Sequence, residues 1–318
     1  AGPAVRPRRF AGRPRDPHAG GPGDCPFCPG HEDRTPPIRD AIVDDAGAWL
    51  VRALPNRYPI LAPDRDDPGP GRSAEGWRHL PAHGQSEVIV ETRAHDTALH
   101  AAGVPQIRRV LEMYQRRYRA LAATGDGARQ VVVFRNHGPG AGTSLRHPHS
   151  QVIATPVVSP YTRARVAGEI AQFDESGACP TCRLLERERA TGGRIVRDGA
   201  SFVTLAPYAA RVPYHLRLVP RRHLPTFPET PPAELDDLAQ DLAAVLRALH
   251  AELDDPDHNL VVRTPPLDQV HRAASHWFVE ILPRLGAGAG FELGSGIVVN
   301  VVPPEEAAAA LARRLAAG

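Results

Sequence analysis

Apolar residues recur along this chain with two periods, and each period appears twice in the same order. From Val104 to Ala123, residues Ile107, Val110, Leu111, Tyr114, Tyr118 and Leu121 fall three and four apart with arginines between them. This spacing predicts an amphipathic helix with one buried stripe. After Pro231-Pro232, residues Leu235, Leu238, Leu242, Val245, Leu246 and Leu249 repeat the pattern and predict a second helix. Short β-branched and aromatic runs flank each helix. Ala48–Leu54 and Ser86–Glu91 precede the first, and Gln130–Phe134 and Gln151–Val158 follow it. Ser201–Pro207 and Tyr214–Val219 precede the second, and Asn259–Arg263 and Trp277–Leu282 follow it. Pro304–Ala317 predicts a terminal helix, with Glu305 and Glu306 in the turn where negative charge suits the helix dipole. Pro, Gly, Asp and Arg between Ala62 and Gly84 predict a long loop. The fold class is therefore α+β: two tandem modules, each a mostly antiparallel sheet with one long helix. The expected modules are residues 1–165 and 166–318, with the boundary near Arg163–Phe173.

The same doubling holds for residues that bind metals. The first half offers Cys25-Pro-Phe-Cys28, then His95, then His147; the second offers Cys179-Pro-Thr-Cys182, then His223, then His276. His147 follows His95 by 52 residues and His276 follows His223 by 53, a match that points to duplication. Two cysteines and two histidines are the donor set of a closed tetrahedral zinc site, so each half is expected to hold one structural Zn2+. A redox pair is the alternative for a lone C-x-x-C, but neither pair has the strand-then-helix setting that role needs. A single zinc ribbon using all four cysteines is another, though about 150 residues between the pairs exceeds ribbon spacing. His31 ranks below His95 as a ligand, and His18, His79, His83 and His100 read as surface or core residues.

Composition narrows the functional classes. The chain has 318 residues, 42% hydrophobic and 23% charged, with a formal net charge of +2. No strong polyelectrolyte attraction to nucleic acid or membranes follows from that balance. All 38 basic residues are Arg, so lysine chemistry is excluded and any phosphate clamp must use Arg, His or backbone N–H. No apolar run approaches the ~20 residues of a membrane span, and no signal-peptide core leads the chain. The expected setting is cytoplasmic, with reduced thiols.

Chemistry concentrates at His147-Pro-His149-Ser-Gln151. On a strand, alternate residues share a face, so His147, His149 and Gln151 are expected to project together. Upstream lies Asn136-His-Gly-Pro-Gly-Ala-Gly142-Thr-Ser144-Leu-Arg146. Glycines such as Gly142 let backbone N–H groups approach a phosphate, and Ser144 and Arg146 add donors. A neutral His149 beside such a cradle can attack phosphorus, with Gln151 donating to the phosphoryl oxygens. A third metal ligand or a structural histidine is the plainer reading of His149. The second half, however, carries Phe278 and Glu280 where the first carries His149 and Gln151. A residue required by the fold would be expected in both copies; a catalytic one is needed once.

At these motifs the chain resembles the galactose-1-phosphate uridylyltransferase family of the histidine-triad superfamily, especially its ADP-glucose phosphorylase-like branch. The resemblance runs through Cys25–Gly30, Pro55-Asn-Arg-Tyr-Pro59, Glu91–Asp96, His147–Gln151, Pro220–His223, Ser275–Phe278 and Ala289–Gly296. It implies a double displacement. His149 would take the nucleotide from a nucleoside diphosphate sugar, release the sugar 1-phosphate, and pass the nucleotide to a phosphate-bearing acceptor. It also implies that Ser144 contacts phosphate, that Asn56 and Asn136 lie near the nucleotide, and that Arg13 approaches the substrate. Phe291 and Glu292 would help form the sugar pocket, often across a homodimer interface. Val298 stands where bacterial uridylyltransferases carry a Gln, and the Lys just upstream is missing, so the acceptor stays open. A nucleotide hydrolase of the wider superfamily and a zinc-stabilised binding module are the competing readings. Near-neutral charge without a basic aromatic stripe argues against the module as a nucleic-acid binder.

Overall fold

The computed structural model describes residues 21–63, 71–72, 76–80, 82–125, 127–286 and 290–317. Strands β1 (Asp40–Val43), β2 (Trp49–Pro55) and β5 (Gln85–Val90) precede helix α1 (Val104–Ala122), and β6 (Gln130–His137) and β7 (His149–Thr155) follow it. Helices α2 (Pro160–Ser176) and α3 (Pro180–Thr191) connect to the second half. There β8 (Ile195–Asp198), β9 (Phe202–Leu205) and β10 (Leu216–Pro220) precede α4 (Pro232–Leu253), and β11 (His258–Arg263) and β12 (Phe278–Pro283) follow it. Helices α5 (Gly290–Ser295) and α6 (Pro304–Ala317) end the chain. Two-residue strands β3 (Gly71–Arg72) and β4 (Arg78–His79) pair inside the expected loop, whose residues 64–70, 73–75 and 81 lie outside the described ones.

The main sheet has ten strands in the order β1-β2-β5-β7-β6-β11-β12-β10-β9-β8. Read outward from the β6–β11 pair, the two sides match strand for strand: β7 with β12, β5 with β10, β2 with β9, β1 with β8. All of its pairings are antiparallel, and the halves join in register from His137 opposite His258 to Val133 opposite Val262. One continuous core fills the face covered by α1, α4 and α6, with Tyr114, Phe202, Phe227 and Trp277 among its large members. The opposite face carries two smaller clusters. One gathers Cys25, Phe27, Cys28, Trp49, Leu54, Val88 and Val90; the other gathers Leu185, Val203, Leu205, Val219 and Phe278.

The expected boundary, Arg163–Phe173, falls inside α2 rather than in a linker. Ser159 caps this helix by accepting from Thr162 N, Pro160 opens it, and Gly177 closes it at φ +67°. β7 starts two residues earlier than expected and ends at Thr155. His147 consequently precedes the strand, and only His149 and Gln151 share its face.

Candidate active site

The described residues hold two Cys2His2 groups: Cys25, Cys28, His95 and His147, and Cys179, Cys182, His223 and His276. In the first, Cys28 Sγ lies 3.3 Å from His95 Nδ1 and 3.6 Å from His147 Nδ1, and Cys25 Sγ lies 3.7 Å from His147 Nδ1. In the second, the corresponding distances run from 3.5 to 3.8 Å. A tetrahedron with Zn–S near 2.3 Å and Zn–N near 2.05 Å has S···N edges of about 3.6 Å, so both donor sets fit zinc without rearrangement. Outer hydrogen bonds set the ligand tautomers. His147 Nε2 donates to Thr92 O (2.8 Å), His223 Nε2 to Arg272 O (2.7 Å) and His276 Nε2 to Pro220 O (3.1 Å). Each bond leaves Nδ1 unprotonated toward the sulfurs. His31 instead spends its Nδ1 on Cys25 O at 2.7 Å and stands outside the group.

The two groups are built differently. Cys25 and Cys28 lie in turns before β1, while Cys179 caps α3 and Cys182 sits in its first turn. A helix N-terminus favours thiolate in the second group. In the first, Arg52 takes that place. It is fully buried, its Nη2 donates to Pro26 O and Phe27 O at 3.3 Å, and its guanidinium lies 4.6 Å from the Trp49 ring. Arg52 was not anticipated, because a lone Arg in an apolar strand carries no periodic signal.

A cavity of about 350 Å³ opens beside the first group, and Asn136, Gly138, Thr143, Arg146, His147 and His149 are among its lining residues. His149 is 6% exposed, and its Nδ1 donates to His147 O at 2.9 Å. Nε2 is therefore the nitrogen left with a lone pair. Burial pushes this imidazole below the ordinary histidine range, against the pull of its backbone bond and of Glu91, so the ring is neutral. Phe27, from the C-P-F-C turn, packs edge-on against both His147 (5.9 Å) and His149 (5.6 Å) and ties the ring to the metal group.

Behind β7, buried Glu91 accepts from Arg135 Nε at 3.0 Å, from Tyr114 OH at 3.4 Å and from Ser150 Oγ. This charge-assisted network fixes the strand immediately after His149. The Gly-rich loop is shaped by Asp257, which accepts from Gly140 N; a Cβ at Gly138 or Gly140 would overlap that carboxylate. Asn136 donates to Gly142 O at 3.3 Å and accepts from Asn259 at 2.9 Å.

Not every expected residue meets the cavity. Arg146 lines it and pairs with Asp96 at 2.9 Å, but Ser144 is exposed and Thr143, beside it, lines the cavity instead. Gln151 follows His149 on the same face, and its amide makes no hydrogen bond to the described residues. Asn56 holds the next turn by accepting from Tyr58 N at 2.9 Å, away from the cavity lining. Phe291 and Glu292 sit on α5, also away from it, and Phe291 is 59% exposed. Arg13 lies outside the described residues.

A family model described as galactose-1-phosphate uridyl transferase, N-terminal domain, matches residues 16–159. An ADP-glucose phosphorylase of Arabidopsis thaliana is 30% identical over 308 residues, covering 96% of this chain and 86% of the relative. The chain belongs to the galactose-1-phosphate uridylyltransferase family. A galactose-1-phosphate uridylyltransferase of Thermotoga maritima is 30% identical over 90% of the chain and 87% of its own length. The solved structure of the Arabidopsis phosphorylase with bound ADP-glucose superposes with a TM-score of 0.81 at 29% identity, covering 96% and 94% of the two chains. Membership in this family makes the protein a nucleotidyltransferase. It also agrees with the α+β tandem architecture, and no described helix is long and apolar enough to cross a membrane.

Proposed function

We propose that the protein transfers a nucleotide from a nucleoside diphosphate sugar to a sugar 1-phosphate through a covalent nucleotidyl-His149. The observation that carries this reading is the state of His149: neutral, lining the cavity, with Nδ1 spent on His147 O and Nε2 left as the nucleophile. The Nε2 lone pair attacks the α-phosphorus and forms the P–N bond as the P–O bond to the β-phosphate breaks. The sugar 1-phosphate leaves with that electron pair. An oxygen of the acceptor phosphate then attacks the same phosphorus, the P–N bond breaks, and the pair returns to Nε2. Backbone N–H groups of the Gly-rich loop, with Arg146, Ser144 and the Gln151 amide, orient the phosphates and meet the developing charge. Asn136 and Asn56 belong to the nucleotide side, Phe291 and Glu292 to the sugar side, and Arg13 to the residues that approach the substrate, as in the family.

Zn2+ is the metal assigned to both Cys2His2 groups; when bound, it pins remote segments together, and in the first group it holds His147 beside the nucleophile. Residues 1–165 form the catalytic module and 166–318 the bracing one. The working unit is a cytoplasmic homodimer without nucleic-acid or membrane partners. Exposed Phe291, Leu293, Ile297 and Val301 on one short stretch support the pairing.

A phosphorylase, with inorganic phosphate as acceptor, is the second reading, favoured by the Arabidopsis phosphorylase that matches over 96% of the chain. Isotope exchange tests the shared mechanism. Labelled sugar 1-phosphate should enter the NDP-sugar pool without any second acceptor, and His149→Ala should abolish the exchange. Exchange that survives His149→Ala contradicts the assignment. Net turnover with phosphate, as against hexose 1-phosphate, then separates phosphorylase from transferase.

A further inference from the structure

Beyond the two Cys2His2 groups, the described residues bring together a third set of donors: His100, His250 and Asp255. They come from three places. His100 sits in the 3-10 turn Leu99–Ala101, His250 in the last turns of α4, and Asp255 just past that helix. Asp255 Oδ1 lies 3.3 Å from His250 Nδ1, 3.9 Å from His100 Nδ1 and 2.9 Å from His137 Nε2. The His100 and His250 rings stack at 4.0 Å. His250 Nδ1 is buried and makes no well-aligned hydrogen bond to the described residues, although Asp255 Oδ1 is close. Burial, and then the neighbouring His250, hold His100 below the ordinary histidine range, and burial and Arg135 do the same for His137. Imidazole nitrogens gathered around one carboxylate are donors to a metal, whereas two stacked imidazolium ions would repel each other.

The cavity beside this cluster carries an unbalanced charge. Asp96, Asp255 and Asp257 line it, while its two arginines are already engaged, Arg135 by Glu91 and Arg146 by Asp96. The chain has no lysine to add. Among the described lining residues, a phosphate-bearing ligand entering this space meets three carboxylates and two arginines that already have carboxylate partners.

We propose that His100, His250 and Asp255 form a third cation site at the edge of the cavity, which Asp255 lines, taking a borderline divalent transition cation such as Zn2+ and leaving coordination positions open to a phosphate oxygen. Two nitrogens and one oxygen are a donor set for such ions, and three protein ligands leave room for a fourth. His137 holds the same carboxylate by donating from Nε2 to Asp255 Oδ1 at 2.9 Å, as histidines and carboxylates around metal ligands do. The donor atoms lie within 4.8 Å of one another and must close to ~3.4 Å on a bound ion. His250 and Asp255 are 44% and 47% exposed and can make that adjustment. The third ion is therefore held more weakly than the two in the preassembled Cys2His2 groups and leaves first under chelation. The phosphate contact rests on the nucleotidyl-transfer reading; the metal site does not.

Equilibrium dialysis of the whole protein against excess Zn2+, followed by elemental analysis, tests the site. Three equivalents per chain are expected, falling to two in Asp255→Asn and in the His100→Ala/His250→Ala double variant. Asn tolerates the φ of +54° at position 255, so the first variant keeps the fold. Co2+ added to the zinc-loaded protein should give visible d–d bands without thiolate charge transfer, and these bands should vanish in both variants. Saturation at two equivalents in the wild type, or a third that persists in both variants, overturns the proposal. Failure of isotope exchange with the third equivalent intact removes only the nucleotide reading.

Discussion

The starts of β7 and β12 occupy equivalent places in the two halves, yet one opens on a cavity and the other is core. At the first, His149 lines a cavity and the Gln151 amide makes no hydrogen bond to the described residues. At the second, Phe278 packs against Leu185, Val203, Leu205 and Val219, with the Arg217 guanidinium 4.7 Å from its ring. Glu280, in the place of Gln151, is completely buried and held by His215 at 2.9 Å and Arg263 at 2.7 Å, with Arg217 at 3.5 Å. The contrast teaches that a Cys2His2 group can stand beside an open cavity in one half and beside packed core in the other. Both strands are preceded by a histidine of a Cys2His2 group, but only the first places its opening side chain on a cavity.

Removing the distinguishing residue has the largest expected effect. His149→Ala should lower nucleotidyl transfer by at least about 10³-fold with the fold intact, as loss of a covalent nucleophile does. Phe278→His should create no second nucleophile, because its ring faces arginines and apolar side chains rather than a cavity. It should instead cost about 1–3 kcal/mol in urea unfolding. Transfer that survives the first change, or a second labelled histidine after the other, breaks the comparison.

The metal groups divide in the same way. Cys25→Ala and Cys179→Ala should each lose one metal equivalent and lower Tm by roughly 10 °C or more, as a loss of several kcal/mol implies in a chain of this size. Cys25→Ala should also lower the rate per folded molecule, since His147 carries the carbonyl that fixes the His149 tautomer. Cys179→Ala should leave that rate within a few-fold. Metal analysis beside initial rates checks both, and equal catalytic losses would erase the distinction.

Glu91 in the first half and Glu280 in the second are both buried with arginines. Glu91→Gln should cost about 3–5 kcal/mol, because it leaves Arg135 buried without its counterion. Chemical denaturation measures this, and a change under 1 kcal/mol would show that the network is not taut.

Much of this was legible in the sequence. Both long helices, eight of the sheet strands and all eight Cys2His2 donors follow from periodicity and spacing. Helix α2 escaped because it buries only Thr162, Val166 and Glu169 and so has no apolar stripe, although its Ser159-Pro160 start and Gly177 stop were readable. Edge strands β1 and β8 have four residues each, too few to show a period. Arg52, the Glu91–Arg135 pair and the histidine cluster depend on contacts between remote segments, and spacing carries no trace of them. His100 read as an ordinary surface or core histidine until α4 placed His250 over it.

The smallest expected effect lies where the halves meet. Burial, with Arg135 and His137 adding to it, pushes His258 down to about 3, below its unfolded value of about 6.5. The unfolded chain then binds a proton that the folded chain refuses. Stability is full above pH ~6.5 and falls as pH drops toward 3. His258→Phe should flatten the pH dependence of unfolding free energy between about pH 6.5 and 4.5. An unchanged slope would locate the proton elsewhere.

The central claim is that one half carries the nucleophile and the other does not. Incubation with an NDP-sugar alone, followed by proteolysis at neutral to alkaline pH and mass mapping, tests it most directly. A single nucleotidyl group should appear on the peptide containing His147–Gln151, located at His149, with none on the peptide containing His276–Glu280. A nucleotide on the second peptide, or none on His149 while the enzyme turns over, would contradict it.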